Sequence, residues 1–219
     1  MAEELDPQGV ESRALLEAAE FDGARVLKVG SGDGRLAFRY AGASAFVVGI
    51  EPVLKEIGSA FEACPSDLRR RVSFVQATAL DLPFRTAAST SRTLIDLRPV
   101  PAQCPIEVVA PRNTIQVGEA DASGMAADAA ADRAIGYCVQ QGWFVLQDHV
   151  RFDFDLYWDS VREMTFFIAD SVRMRNVLPP AADLEKAHRE LAAGERGRVR
   201  VRCRRPTMLA VYDKATPRD

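Results

Sequence analysis

Ala24-Arg25-Val26-Leu27-Lys28-Val29-Gly30-Ser31-Gly32-Asp33-Gly34 is the stretch from which the fold is read. Its first half is short and rich in branched apolar residues, the signature of a buried strand. The strand runs straight into Gly-x-Gly-x-Gly, and Arg35 to Ala41 then returns to a helical pattern. A strand that turns through glycines into a helix brings backbone N–H groups close to a ligand. A dinucleotide fingerprint would carry its third glycine one place later, where Arg35 stands, so the spacing disfavours a nicotinamide dinucleotide.

Working outward, Ala45 to Ile50 is a second apolar strand that ends in Glu51-Pro52, with Glu51 21 positions after Gly30. A carboxylate at that strand end can accept both hydroxyls of a ribose. Val53 to Ala63 reads as the next helix and Val72 to Ala77 as a third strand, followed by Thr78-Ala79-Leu80-Asp81-Leu82-Pro83-Phe84. Upstream, Gln8 to Glu20 has helical spacing and is stopped by Phe21-Asp22-Gly23. Strands alternating with helices predict a parallel, doubly wound α/β sheet.

These stretches together resemble the class I S-adenosylmethionine-dependent methyltransferases, whose motifs read like V-L-E-V-G-C-G-D-G-R and D-A-x-x-L-P-F; the likeness covers Val26 to Phe84. It implies a Rossmann-like fold with a mostly parallel sheet and helices on both faces, and S-adenosyl-L-methionine as cofactor. It also implies that Gly30, Ser31, Gly32, Asp33 and Gly34 cradle the methionine and ribose portions, that Glu51 holds the ribose, and that Pro52 with Ala77, Thr78 and Ala79 frames the adenine. Two residues depart from the pattern. Lys28 replaces an acidic residue that helps hold the cofactor's ammonium, and either turns to solvent or pairs with Asp33 or Glu51. Thr78 replaces an acidic contact to the adenine amine.

The resemblance also calls for a fourth strand and crossover helices after Leu-Pro-Phe, yet only Arg85 to Arg92 separate Phe84 from the apolar Thr93-Leu94-Ile95-Asp96-Leu97. A parallel crossover needs about a dozen residues or more. Thr93 to Leu97 is read as the fifth strand by its sequence, or the fourth by its position; either leaves the sheet short of one strand–helix unit. Downstream, Ile106 to Val109 and Thr114 to Val117, with Pro111-Arg112-Asn113 between them, suggest a hairpin or a two-strand excursion. Helices are expected at about Met125 to Gln141, with Ala130, Ala134, Cys138 and Gln141 on one stripe, after the capping box Ser160-x-x-Glu163, and at Ala181 to Ala193; Trp143 to Phe154 alternates as a long strand. No internal boundary is read: residues 1–219 are taken as one domain, with the cofactor-binding part at about 8–84.

Composition excludes several classes. With two histidines and four scattered cysteines there is little from which to build a zinc site or a Ser-His-Asp triad, and no metal site is read. No apolar run is long enough to span a bilayer and the acidic N-terminal stretch is unlike a secretion signal, so a cytoplasmic protein without a membrane partner is expected. The net charge of -3 argues against general nucleic-acid binding, but Glu195 to Asp219 holds eight basic residues against three acidic ones. In Val199-Arg200-Val201-Arg202-Cys203-Arg204 the alternation predicts an edge strand with valines and cysteine inward and arginines on a solvent face; the rival reading is a nucleic-acid-binding module. Asp96, Glu119 and His149 are candidate bases near strand ends, and Tyr157-Trp158 with Arg162 a candidate substrate mouth. The functional expectation is a methyltransferase with a small-molecule acceptor rather than a macromolecular one; the alternative within the fold is a cofactor-binding but catalytically impaired remnant.

Overall fold

The computed structural model describes residues 4–78, 92–121, 126–170, 180–194 and 199–215. The chain divides into two compact units, Ser12–Leu94 and a second made of Met1–Glu11 with Ile95–Asp219. Helix α1, Val10–Glu17, spans the boundary in sequence. It is shorter than its periodicity predicts because Asp6 sets its start: the Asp6 carboxylate accepts the Val10 N–H at 2.6 Å and the Glu11 N–H at 3.3 Å, with Gly9 left-handed just before.

The Ser12–Leu94 unit is a βαβαβ arrangement: β2 (Arg25–Val29), α2 (Arg35–Ala41), β3 (Phe46–Glu51), α3 (Leu54–Ala63) and β4 (Val72–Gln76). The three strands are parallel in the order β2-β3-β4, with Val26 beside Val47 and Ile50 beside Val75. Val47, Ile50, Ala37 and Tyr40 are fully buried, and Phe74 is wedged between Phe38 and Phe61 with ring centroids 5.9 and 5.6 Å away, both edge-to-face. Among the described residues β2 has a strand neighbour on one side only, as the short segment after Phe84 predicts.

The second unit departs from the expected mostly parallel sheet. Its strands are β1 (Glu4–Leu5), β5 (Thr93–Pro99, whose first two residues lie in the other unit), β6 (Gln103–Ala110), β7 (Asn113–Asp121), β8 (Phe144–Trp158) and β9 (Arg200–Lys214). The order is β1-β8-β9-β6-β7, with β5 also on β9; the β1–β8, β8–β9, β9–β6 and β6–β7 pairings are antiparallel. The β6–β7 hairpin leaves only Pro111-Arg112 between the paired Ala110 and Asn113, a connection that only antiparallel strands can make.

The C-terminal segment corrects two expectations. β9 is interior, not an edge, lying between β8 and β6. Pro206 stands opposite Asp153 of β8, and its carbonyl takes the Val100 N–H at 2.9 Å. Val199, Val201 and Cys203 are buried as the alternation predicts, in a core with Ile106, Leu156 and Met164. The arginines on the other face meet carboxylates instead of solvent. Arg202 bonds Glu107 at 2.8 Å and Asp155 at 3.3 Å, Arg204 bonds Glu107 at 2.7 Å, and Arg200 pairs with Asp159 at 3.2 Å.

Among the described residues, the helices of this unit are α4 (Ala126–Gln140), α5 (Val161–Asp170) and α6 (Ala181–Ala193). The Ser160–Glu163 cap forms, the Ser160 hydroxyl accepting the Glu163 N–H at 3.2 Å and the Glu163 carboxylate taking the Asp159 N–H at 3.1 Å. Met164 and Ile168 of α5 are buried in the core. The predicted α4 stripe is rotated, since Ala130 and Ala134 are exposed while Ile135 and Cys138 are half-buried.

Candidate functional site

The site is built where β2 and β3 end. Gly30, Gly32 and Gly34 all adopt positive φ, at 65°, 53° and 83°, which L side chains rarely adopt. Two of these glycines do different work. A Cβ on Gly34 would sit 2.6 Å from Phe38 and 2.8 Å from Phe74, so glycine lets the turn press onto the core; a Cβ on Gly32 would meet nothing within 4 Å, so its face of the turn is open. The turn is tied to the sheet by the Ser31 N–H donating to the Ile50 carbonyl at 3.0 Å, and closed by the Gly34 N–H donating to the Ser31 carbonyl at 3.1 Å.

Glu51 is the hub. It is buried at 8% exposure, and its two carboxylate oxygens accept different backbone donors: Oε2 the Gly32 N–H at 2.9 Å, Oε1 the Val53 N–H at 3.2 Å. Each carboxylate oxygen has a second lone pair, so two further acceptor positions remain for a ligand's hydroxyls. The Ala77 N–H donates to the Glu51 carbonyl at 3.3 Å, and the Gln76 side-chain amide donates to the Pro52 carbonyl at 3.2 Å. Thus Gly30, Ser31, Gly32, Gly34, Glu51, Pro52 and Ala77 are joined by short bonds and chain neighbours into one surface at the carboxyl end of parallel strands, where open α/β sheets bind ligands. Thr78 follows directly; Ala79 and the Leu82-Pro83-Phe84 element lie outside the described residues.

Asp33 is exposed, and its carboxylate accepts the Arg35 N–H at 3.1 Å, where it stabilises the helix start. Lys28 donates from Nζ to the Val29 carbonyl at 3.2 Å, an exposed bond. Sequence reasoning missed Ser31 Oγ as a buried polar atom: Ser31 is 6% exposed, and the hydroxyl finds no hydrogen-bond partner. It also missed the Gly32–Glu51 bond, since nothing local in the sequence connects residues 19 apart.

The candidate bases lie on different strands. Asp96, on β5, is held by Arg98 at 2.9 Å, and Arg98 also bonds Asp132. Burial, the largest influence on Arg98, pulls its pKa down, but the hydrogen bonds and charges of the two aspartates outweigh it. Arg98 therefore links β5 to α4, and Asp96 is its partner on the same strand. Glu119, on β7, is exposed and accepts from Gln116 at 3.0 Å. His149, on β8, is exposed, its backbone N–H donating to Asp148 at 2.8 Å. β7 and β8 are separated by β6 and β9, about 14 Å at ordinary strand spacing, so these two side chains are not neighbours in the sheet. Trp158 is core at 3% exposure, whereas Tyr157 stacks with Arg200 and Arg202, 5.0 and 5.9 Å from its ring centre. The substrate-mouth expectation for this pair is not supported.

No family model and no curated protein matches the chain. Solved structures do. The YcgJ protein of Bacillus subtilis is similar with a TM-score of 0.52 at 12% identity, covering 94% of this chain and 99% of that one. A proposed RNA methyltransferase of Pyrococcus horikoshii gives 0.51 at 8% identity, covering 94% and 82%, and a proposed methyltransferase of Bacillus halodurans 0.50 at 16%, covering 95% and 100%. At these identities the likeness is one of fold. The described residues share the mixed, Rossmann-like α/β fold of these structures. Among the described residues no helix is long and apolar enough to cross a membrane.

Proposed function

We propose that the chain binds S-adenosyl-L-methionine at the glycine turn and acts as a methyltransferase of weak turnover on a small-molecule acceptor, with residues 1–219 working as one methyltransferase-like domain. One observation carries the reading: the buried Glu51 carboxylate is fixed by the turn's own Gly32 N–H at 2.9 Å, so a ribose acceptor and a glycine cradle share one preformed surface. The fit is further supported by the open face of Gly32 and the unpartnered Ser31 hydroxyl.

Bound S-adenosylmethionine supplies a methyl group on a sulfonium, ready for in-line attack by a nucleophile. The chain's own contribution is positional. Glu51 would accept the ribose hydroxyls, Gly30 to Gly34 would let the backbone approach the methionine portion, and Pro52 with Ala77 to Ala79 would border the adenine. Alignment of two reactants can account for roughly 7 to 11 kcal/mol of a barrier, and it needs walls on both sides of the reacting centre. Among the described residues β2 has no strand on its outer side, which supports weak turnover.

The nucleic-acid alternative draws on the β9 arginines. Their pairing with Glu107, Asp155 and Asp159 cancels the charge that phosphate contacts require, and opposes that reading. The test is direct. Purified protein is analysed by mass spectrometry for retained adenosylmethionine or adenosylhomocysteine and titrated calorimetrically with the latter. Saturable 1:1 binding is expected; absence of both retained ligand and heat refutes the proposal.

A further inference from the structure

On one side β8 is paired with β9 from Phe144 to Trp158. On its other side, among the described residues, only the two-residue β1 pairs with it, at Leu156 and Tyr157. The stretch from Val150 to Phe154 therefore has an unpaired outer edge, and it is regular, since the bulge in β8 lies earlier, between Leu146 and Asp148. Pro206 tells which backbone groups face outward. Its carbonyl takes the Val100 N–H, away from β8, so the opposed Asp153 and Pro206 exchange no hydrogen bonds and the Asp153 N–H and carbonyl point to the free edge. Arg151, two places earlier, has the same orientation. The side chains sort by face. Val150, 42% exposed, shares the apolar face with Phe152 and Phe154, while Arg151 and Asp153 stand on the other, both exposed. Asp153 meets Arg204 at a loose 3.8 Å, and Arg151 makes no ion pair among the described residues.

We infer that β8 pairs with β8 of a second copy of this chain, antiparallel and centred on Phe152, joining the two sheets edge to edge. Two antiparallel edges related by a two-fold axis bring together residues equally far from the centre. Centred on Phe152, Arg151 stands opposite Asp153 of the second copy and Asp153 opposite its Arg151, while Val150 meets Phe154 and the two Phe152 rings adjoin. Arg151 and Asp153 are also the residues whose backbone groups face outward, so the same register forms roughly four hydrogen bonds between the strands. Neighbouring registers do worse. Centred on Arg151 or on Asp153, two like charges face each other; centred on Val150, Arg151 meets His149 and has no carboxylate opposite. Charge complementarity thus selects one register, and a second copy is the partner that supplies it.

Sedimentation equilibrium of the full chain reads the association, and the wild type is expected to form a reversible dimer. Arg151→Asp and Asp153→Arg should each weaken it about tenfold or more, because each turns two opposite-charge pairs into two like-charge ones. Mixed in equal amounts, the two variants should associate again, since every aspartate then faces an arginine. Hydrogen exchange of the wild-type Arg151 and Asp153 amides needs no variant to fold: both should gain protection as the concentration rises through the dimer range. A chain that stays monomeric overturns the inference, even if a strand of another protein is found to cover the edge. So does a dimer that neither reversal weakens, a pair of folded variants that do not associate when mixed, or a dimer whose Arg151 and Asp153 amides exchange as fast as in the monomer.

Discussion

Removing the Glu51 carboxylate perturbs two things at once, and the structure separates them. Glu51→Ala withdraws the acceptor from the Gly32 and Val53 N–H groups, bonded at 2.9 and 3.2 Å. It also withdraws the acceptor proposed for the ribose. A hydrogen bond to a charged group contributes about 1.5 to 3 kcal/mol, and a buried donor left without a partner costs about 1 to 3 kcal/mol. Both donors are only part-buried and water reaches them in the variant, so the expected loss of stability is at the lower end, about 1 to 2 kcal/mol. For affinity the loss is at least about tenfold, since one charge-assisted bond exceeds the 1.4 kcal/mol that a decade represents. Glu51→Gln is the sharper variant. Its amide has one acceptor atom to offer two N–H donors, so its NH₂ must face one of them; stability and affinity should fall part of the way. Calorimetry with S-adenosylhomocysteine reads the affinity and thermal melting reads the stability. A Glu51→Ala protein that binds the thioether as tightly as wild type would refute the assignment, and one that melts unchanged would refute the account of the turn.

Three further outcomes are expected. Gly34→Ala forces a left-handed residue and a methyl 2.6 Å from Phe38, and should destabilise by about 1 to 3 kcal/mol in chemical denaturation. Arg202→Ala takes the nearest cation from Asp155 and leaves Glu107 with Arg204 alone, their side chains being 11% and 9% exposed, and should cost about 3 kcal/mol near neutral pH. Burial already raises Asp155 above its ordinary 3.8 against the lowering influence of Arg202, so the native fold holds that proton more tightly than the unfolded chain does. Its contribution to stability is full below 3.8 and is lost as pH rises through the native value, so the Arg202→Ala penalty should shrink on acidification; a penalty that grows instead counts against the ion-pair account. Finally, adenosylhomocysteine release from this chain over a broad panel of acceptors should be slow or undetectable, and robust turnover would show that the outer wall of β2 is dispensable.

The first third of the chain was legible because its determinants are local. A run of branched residues, a glycine spacing that only a tight strand-to-helix turn uses, and an acidic residue at the next strand end are all fixed within about twenty positions. They identify β2, α2 and β3 with boundaries close to those observed, and they nominate Gly30, Gly32, Gly34 and Glu51 before any coordinate is known. The hairpin at Pro111-Arg112, the Ser160 cap and the Ala181–Ala193 helix were equally visible, for the same reason.

What the tertiary structure decided was pairing. Alternation told that Val199, Val201 and Cys203 face inward, but a period of two says nothing about what lies across the other face; whether Arg202 meets water or Glu107, 95 positions away, depends on which strand lies beside β9. The same holds for Pro206, whose missing N–H does not say which strands flank it; the assembled sheet sets it in β9 opposite Asp153. Sequence periodicity encodes the burial of each residue, because burial is a property of one side chain and its own strand or helix; the partner of a buried charge is a property of two segments that meet only when the sheet is assembled.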